Sequence, residues 1–207
     1  MLNINYKILK NNKKNPQILR QGGFTLLETL IALLLLVMVL NPAFTLLSNS
    51  LLGSKYAKNQ MTADYLLQEV VDFIRNDRDS FTQNNKDWDG FVKKYGLVDG
   101  GMGKTIKSAC VIETSPLNNV VDCQTIPDNS ESSVPPATLY YDKSSVYGGY
   151  YTTKSNIANA TPTIFKREVL MTLLEGDEVD ISVTVTWSDG FSEKKRTLYS
   201  SLLNWQQ

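Results

Sequence analysis

Between Glu28 and Lys55 the chain carries no charged residue, and from Leu30 to Leu40 every residue is apolar. A helix from Phe24 to Leu47 would measure about 36 Å, enough to cross the roughly 30 Å hydrocarbon core of a bilayer. A run like this suits lipid or a bundle of similar helices, not one face of a soluble domain. In front of it, Lys7, Lys10, Lys13, Lys14 and Arg20 stand in residues 1–23 with no acid among them. That bias holds the leader on the cytoplasmic side and sends the C-terminal end of the helix outward. The expected location is therefore the cytoplasmic (inner) membrane, crossed once, with an extracytoplasmic head.

A secretory signal peptide places its small-residue cleavage site after the apolar core. Here the junction Gly23-Phe24 lies before it, so the helix is kept. The stretch Gly23-Phe24-Thr25-Leu26-Leu27-Glu28 behind a basic leader resembles the prepilin peptidase site of type IV pilins and pseudopilins. Glycine before the cut, an aromatic after it, glutamate as fifth residue and a long apolar run all agree with that motif. The resemblance covers roughly the first quarter of the chain. It implies cleavage between Gly23 and Phe24, N-methylation of Phe24, and a role for Glu28 in assembly.

An ionised carboxylate inside a membrane helix costs about 3 kcal/mol on insertion scales unless it is paired. Cleavage would free an α-amino group on Phe24, with a pKa of about 8, and a neighbouring subunit's amine would neutralise Glu28 in a packed bundle. The alternative is a plain single-pass anchor whose glutamate sits at headgroup level. Pro42, which follows the apolar run after Asn41, removes the bond to the Met38 carbonyl and marks an expected soft point.

The remaining chain suffices for one globular domain. The sequence divides into a basic leader (1–23), a hydrophobic transmembrane or filament-core helix (24–53), an amphipathic continuation (54–79) and a head (80–207). Loss of the leader would leave 16 basic against 21 acidic residues, a net charge of −5, which gives no basic face for nucleic acid. The chain has no histidine, the commonest general base and metal ligand. No catalytic constellation, cofactor motif or metal set is recognisable.

Leu52, Tyr56, Ala63, Leu67, Val70 and Ile74 recur at helical spacings, with Leu66 and Val71 alongside, and predict a core stripe fraying by about Asp77–Ser80. Asp87-Trp88-Asp89-Gly90-Phe91 leads into a short helix ending near Gly96. Asn85, Asp87 and Asp89 imitate half of a calcium loop, but the twelfth position is Gly96 where a bidentate glutamate belongs, and helix capping by Asp87 or Asp89 is the plainer reading. Gly103-Lys104-Thr105 imitates the end of a phosphate-binding loop without its first glycine and reads as a turn.

Ile106–Glu113 reads as a strand and Ser115–Asn119 as a turn, with Cys110 and Cys123 on either side. Two cysteines in an outward-facing segment suggest a disulfide rather than a metal site, the alternative being two free thiols in a reducing setting. Residues 126–136 read as loop. Tyr140, Tyr141, Tyr147, Tyr150 and Tyr151 cluster around Gly148-Gly149 as a hairpin over the core or an aromatic contact patch. Val179, Ile181, Val183, Val185 and Trp187 alternate with polar residues, a half-buried strand. Asp189-Gly190 then turns the chain into a partner strand, 193–203, and 165–174 supplies a third.

The expected fold is α+β and pilin-like: a long hydrophobic N-terminal helix packed through its C-terminal half on an antiparallel sheet of three or four strands. The resemblance implies a minor pilin or pseudopilin of a type IV pilus-like filament. The partners it implies are the prepilin peptidase, other pilin subunits and the inner-membrane assembly platform. The competing reading is a single-pass, membrane-anchored binding module or hydrolase.

Overall fold

The computed structural model describes residues 23–83, 88–98, 105–115, 120–127, 134–143, 149–174, 178–190 and 192–204. The leader residues 1–22, Asn85, Asp87, Gly103-Lys104, the 116–119 turn, Tyr147-Gly148, Glu175–Asp177 and Trp205 lie outside them. The chain forms two compact units, Met1–Ser50 and Leu51–Gln207. The first helix, α1 (Leu26–Gln83), contributes residues to both.

In the first unit every described residue is exposed, including Leu30, Leu34, Leu36 and Phe44. The helix passes through Pro42 without interruption. One missing N–H leaves the surrounding ladder of backbone bonds in place, so the soft point expected there does not end the helix.

In the second unit the stripe of α1 is buried at Ala63, Leu66, Leu67, Val70, Val71 and Ile74. Leu52 and Tyr56, expected in the same stripe, are exposed, because burial along the helix begins only at Ala63 among its apolar residues. The helix also runs past Ser80 to Gln83. A second helix, α2 (Trp88–Lys94), accounts for the extra turn. Lys94 Nζ meets the Asp77 carboxylate at 2.7 Å, the Tyr95 hydroxyl donates to Asp77 at 3.0 Å, and Phe81 packs edge-on against Phe91.

Gly96 ends α2 with φ of 66°. Its N–H donates to the Lys93 carbonyl and that of Leu97 to the Val92 carbonyl, the paired bonds of a Schellman cap that needs a left-handed residue. Asp89 lies within the first turn of α2, where its charge favours the helix dipole, so of the two caps expected, Asp87 or Asp89, it is not the one, and Asp87 lies outside the described residues.

Among the described residues the sheet is antiparallel and has seven strands: β1 (Ile106–Glu113), β2 (Val120–Ile126), β3 (Ala137–Asp142), β4 (Tyr150–Thr152), β5 (Ala160–Leu173), β6 (Glu178–Ser188) and β7 (Glu193–Leu203). It exceeds the three or four strands expected because β1 and β2 and the tyrosine hairpin β3–β4 join the C-terminal strands. β6 alternates inward and outward along its length as the sequence predicts, burying Val179, Ile181, Val183, Val185 and Trp187.

Strand β5 is the branch point. One edge pairs with β6, which pairs with β7. The other edge is shared: Ala160–Arg167 pairs with β3 and Val169–Leu173 with β1, so the sheet forks at Glu168. The inward face of the sheet meets the buried stripe of α1 and closes one core around Trp187, Phe91 and Met171.

Candidate functional site

Two places on the chain concentrate features that packing alone does not require. The first is the start of α1. Thr25 precedes the helix, and its Oγ1 accepts from the Glu28 N–H at 3.3 Å. Thr25-Leu26-Leu27-Glu28 is thus a capping-box sequence, threonine at the cap and glutamate three residues on. The helix consequently begins at Leu26. Glu28 stands in its first turn, where a negative charge opposes the positive end of the helix dipole. Gly23, Phe24 and Glu28 are all exposed, and the helix that follows is long and apolar enough to cross a membrane.

The second place is the fork in the sheet. Beyond Cys110, β1 leaves β5, and the carbonyl of Ile112 loses its place in that ladder. Arg167, on the inward face of β5 and buried, donates from Nη2 to that carbonyl at 2.7 Å. Its Nη1 faces Glu69 Oε2 of α1 at 3.7 Å and has no hydrogen-bond partner. Burial lowers the Arg167 pKa below the usual guanidinium value, against the attraction of Glu69 and Glu113. Glu69 is fixed from its other side, where Thr114 Oγ1 donates to Oε1 at 2.5 Å.

Glu113 closes the far side of the fork. Its Oε1 accepts from the Ser115 N–H at 3.1 Å, and its Oε2 from the Thr152 hydroxyl, the Thr153 N–H and the Thr153 hydroxyl at 2.7–2.9 Å. Burial would raise the pKa of this carboxyl. The bonds from Thr153, Ser115 and Thr152 outweigh burial and hold it below the usual carboxylate value.

Beside this cluster lies a groove of about 760 Å³. Tyr65, Gln68, Glu69 and Asp72 of α1 form one wall, and Tyr141 and Tyr151 of the β3–β4 hairpin form the other. The two hairpin tyrosines pair across the strands, their rings 5.1 Å apart and tilted by 56°. Burial, then Tyr141 and Glu69, raises the pKa of Tyr151, so its hydroxyl stays protonated and able to donate. Tyr140 and Tyr150 belong to the opposite face of the hairpin.

Cys110 and Cys123 form a disulfide with Cα atoms 4.1 Å apart. They are opposed residues of β1 and β2, so the bond staples two neighbouring strands and does not bridge a loose surface loop. Among the described residues, no three of His, Cys, Asp and Glu gather as a metal-binding set. No protein-family model, no curated protein and no solved structure matches the chain.

The residues singled out from sequence therefore fall into separate groups: Gly23, Phe24 and Glu28 at the start of α1, the cysteines across β1 and β2, and Tyr141 and Tyr151 in the groove. Sequence reasoning passed over Thr25, Glu69, Glu113 and Arg167. Two of these left a trace. Thr25 and Glu28 have capping-box spacing, and Arg167 occupies an inward position in the alternation Phe165, Arg167, Val169, Met171.

Proposed function

We propose that the protein is a structural subunit, a minor pilin or pseudopilin, of a type IV pilus-like filament. The reading rests on one observation: a glycine–aromatic junction and a glutamate stand at the head of an exposed apolar helix, whose continuation carries a folded α+β head. In this reading the subunit crosses the cytoplasmic membrane once with its head outside. The prepilin peptidase cuts after Gly23 and methylates Phe24, and the assembly platform passes the subunit to a filament of other pilins. The helix surface is covered first by lipid and then by neighbouring helices. Its function is assembly rather than turnover.

Intact mass tests the reading. Protein from membranes or filaments of peptidase-bearing cells is expected to begin at Phe24 and to carry one added methyl group. Replacing Gly23 by a bulky residue is expected to leave the leader attached. Residues 1–23 intact on protein in assembled filaments would refute it. A full-length mass indifferent to loss of the peptidase would support instead a membrane-anchored binding module, the reading that the groove on the head favours.

A further inference from the structure

We propose that the groove between α1 and the β3–β4 hairpin binds a neutral oligosaccharide. On α1, Lys58, Thr62, Tyr65, Glu69 and Asp72 follow one another at alternating spacings of four and three residues. That is the spacing of a buried helical stripe, yet these positions are polar or aromatic and lie beside the buried stripe of Ala63, Leu66, Val70 and Ile74. The helix thus presents a second ordered face, and the hairpin tyrosines stand opposite it.

The chemistry of the walls selects the ligand class. Sugar rings offer C–H faces to aromatic rings and vicinal hydroxyls to carboxylates and amides. Tyr65 is 72 % exposed, and the tilt between Tyr141 and Tyr151 keeps these two rings from stacking flat on one another. Glu69 is a preset acceptor, held by Thr114 and faced by the buried Arg167, while Gln68 supplies a donor and an acceptor together. Lys58 stands against Glu69 and Asp72 in the lining, Glu69 is faced from behind by the buried Arg167 and Asp72 by Arg75 at 3.5 Å, so the walls carry no excess of positive charge to draw a polyanion. A groove of about 760 Å³ lies within the usual range for a small-molecule site.

The position of Tyr141 is itself built in. Gly149, at φ of 90°, lies against this ring, and a Cβ there would come within 2.4 Å of the hydroxyl oxygen. Only glycine combines that conformation with that closeness. The inference concerns the head alone and does not depend on the filament reading.

The test uses the full chain in lipid nanodiscs, which avoids sugar-headed detergents. Neutral di- to tetrasaccharides of hexoses and N-acetylhexosamines are compared with sialylated and sulfated counterparts by saturation-transfer NMR and calorimetry. At least one neutral sugar is expected to bind. Tyr65→Ala should weaken it about tenfold, as loss of one aromatic platform would. Gln68→Ala should weaken it too, whereas Tyr199→Ala, on an exposed tyrosine outside the groove, should leave it unchanged. Parent-like thermal unfolding of the Tyr65 and Gln68 variants confirms that the head is intact. The proposal is overturned if no neutral sugar binds, if only the acidic sugars bind, or if both folded variants bind as the parent does.

Discussion

Arg167 and Glu113 do at the fork what backbone pairing does elsewhere in the sheet. Where β1 leaves β5, the guanidinium takes over the Ile112 carbonyl, and where β1 ends beside β4, the carboxylate takes up the Thr153 N–H. An unpaired polar group at such a junction would cost about 1–3 kcal/mol, so these two side chains let the sheet branch. The folded pKa of Glu113 lies below the usual carboxylate value, so between the two values the unfolded chain binds the extra proton. Its contribution to stability is complete above the unfolded pKa and is lost as pH falls through the folded one. Glu113→Gln is expected to lower stability at neutral pH by about 1–3 kcal/mol and to flatten the decline toward acid. Urea midpoints followed by tryptophan fluorescence from pH 7 to pH 3 measure both effects. Curves that run parallel in the two proteins would show that Glu113 is not the group responsible.

Among the elements, legibility in sequence followed the strength of the local pattern. The alternation of β6 was readable because that strand half-buries itself in a regular two-residue rhythm, whereas β1, covered on both faces over most of its length, was marked out by the turn residues beyond its end. The fork was not, because it depends on β5 serving two partners along one edge, which the sequence of β5 does not encode locally. The longer C-terminal end of α1 was missed for a similar reason: contacts with α2, not propensity, hold it. The cysteine pair was readable from context, but its position across β1 and β2 came only with the register. With a sequence separation of 13, the bond should contribute about 3 kcal/mol in the chain-entropy model. Replacing both cysteines by alanine is therefore expected to lower the urea midpoint of the head and to free β2, an outer strand, for exchange. Hydrogen exchange resolved by strand provides the check, and β2 amides as protected as in the parent would contradict it.

For the whole molecule, the α+β class followed from the apolar run and the strand rhythms, whereas the groove arises only when α1 and a hairpin some seventy residues later meet. The capping box changes how the assembly role of Glu28 must be tested. Glu28 stands three residues after Thr25, where a capping box places its glutamate, so a hydrophobic replacement would remove both the charge and the side chain able to complete the box. Glutamine at this position keeps the capping-box chemistry and deletes only the charge. Under the proposed filament function, Glu28→Gln should be cut after Gly23 as the parent is, because the cut depends on the junction and the leader. It should also enter the membrane at least as well, since no ionised carboxylate has to be desolvated. What it loses is attraction to the Phe24 amine of a neighbour, an interaction strengthened wherever water is excluded. Leader cleavage, membrane content and filament incorporation, measured in the same cells, should therefore show the first two preserved and the third lost. If glutamine is incorporated normally while Glu28→Val is not, Glu28 serves the helix start rather than pairing between subunits.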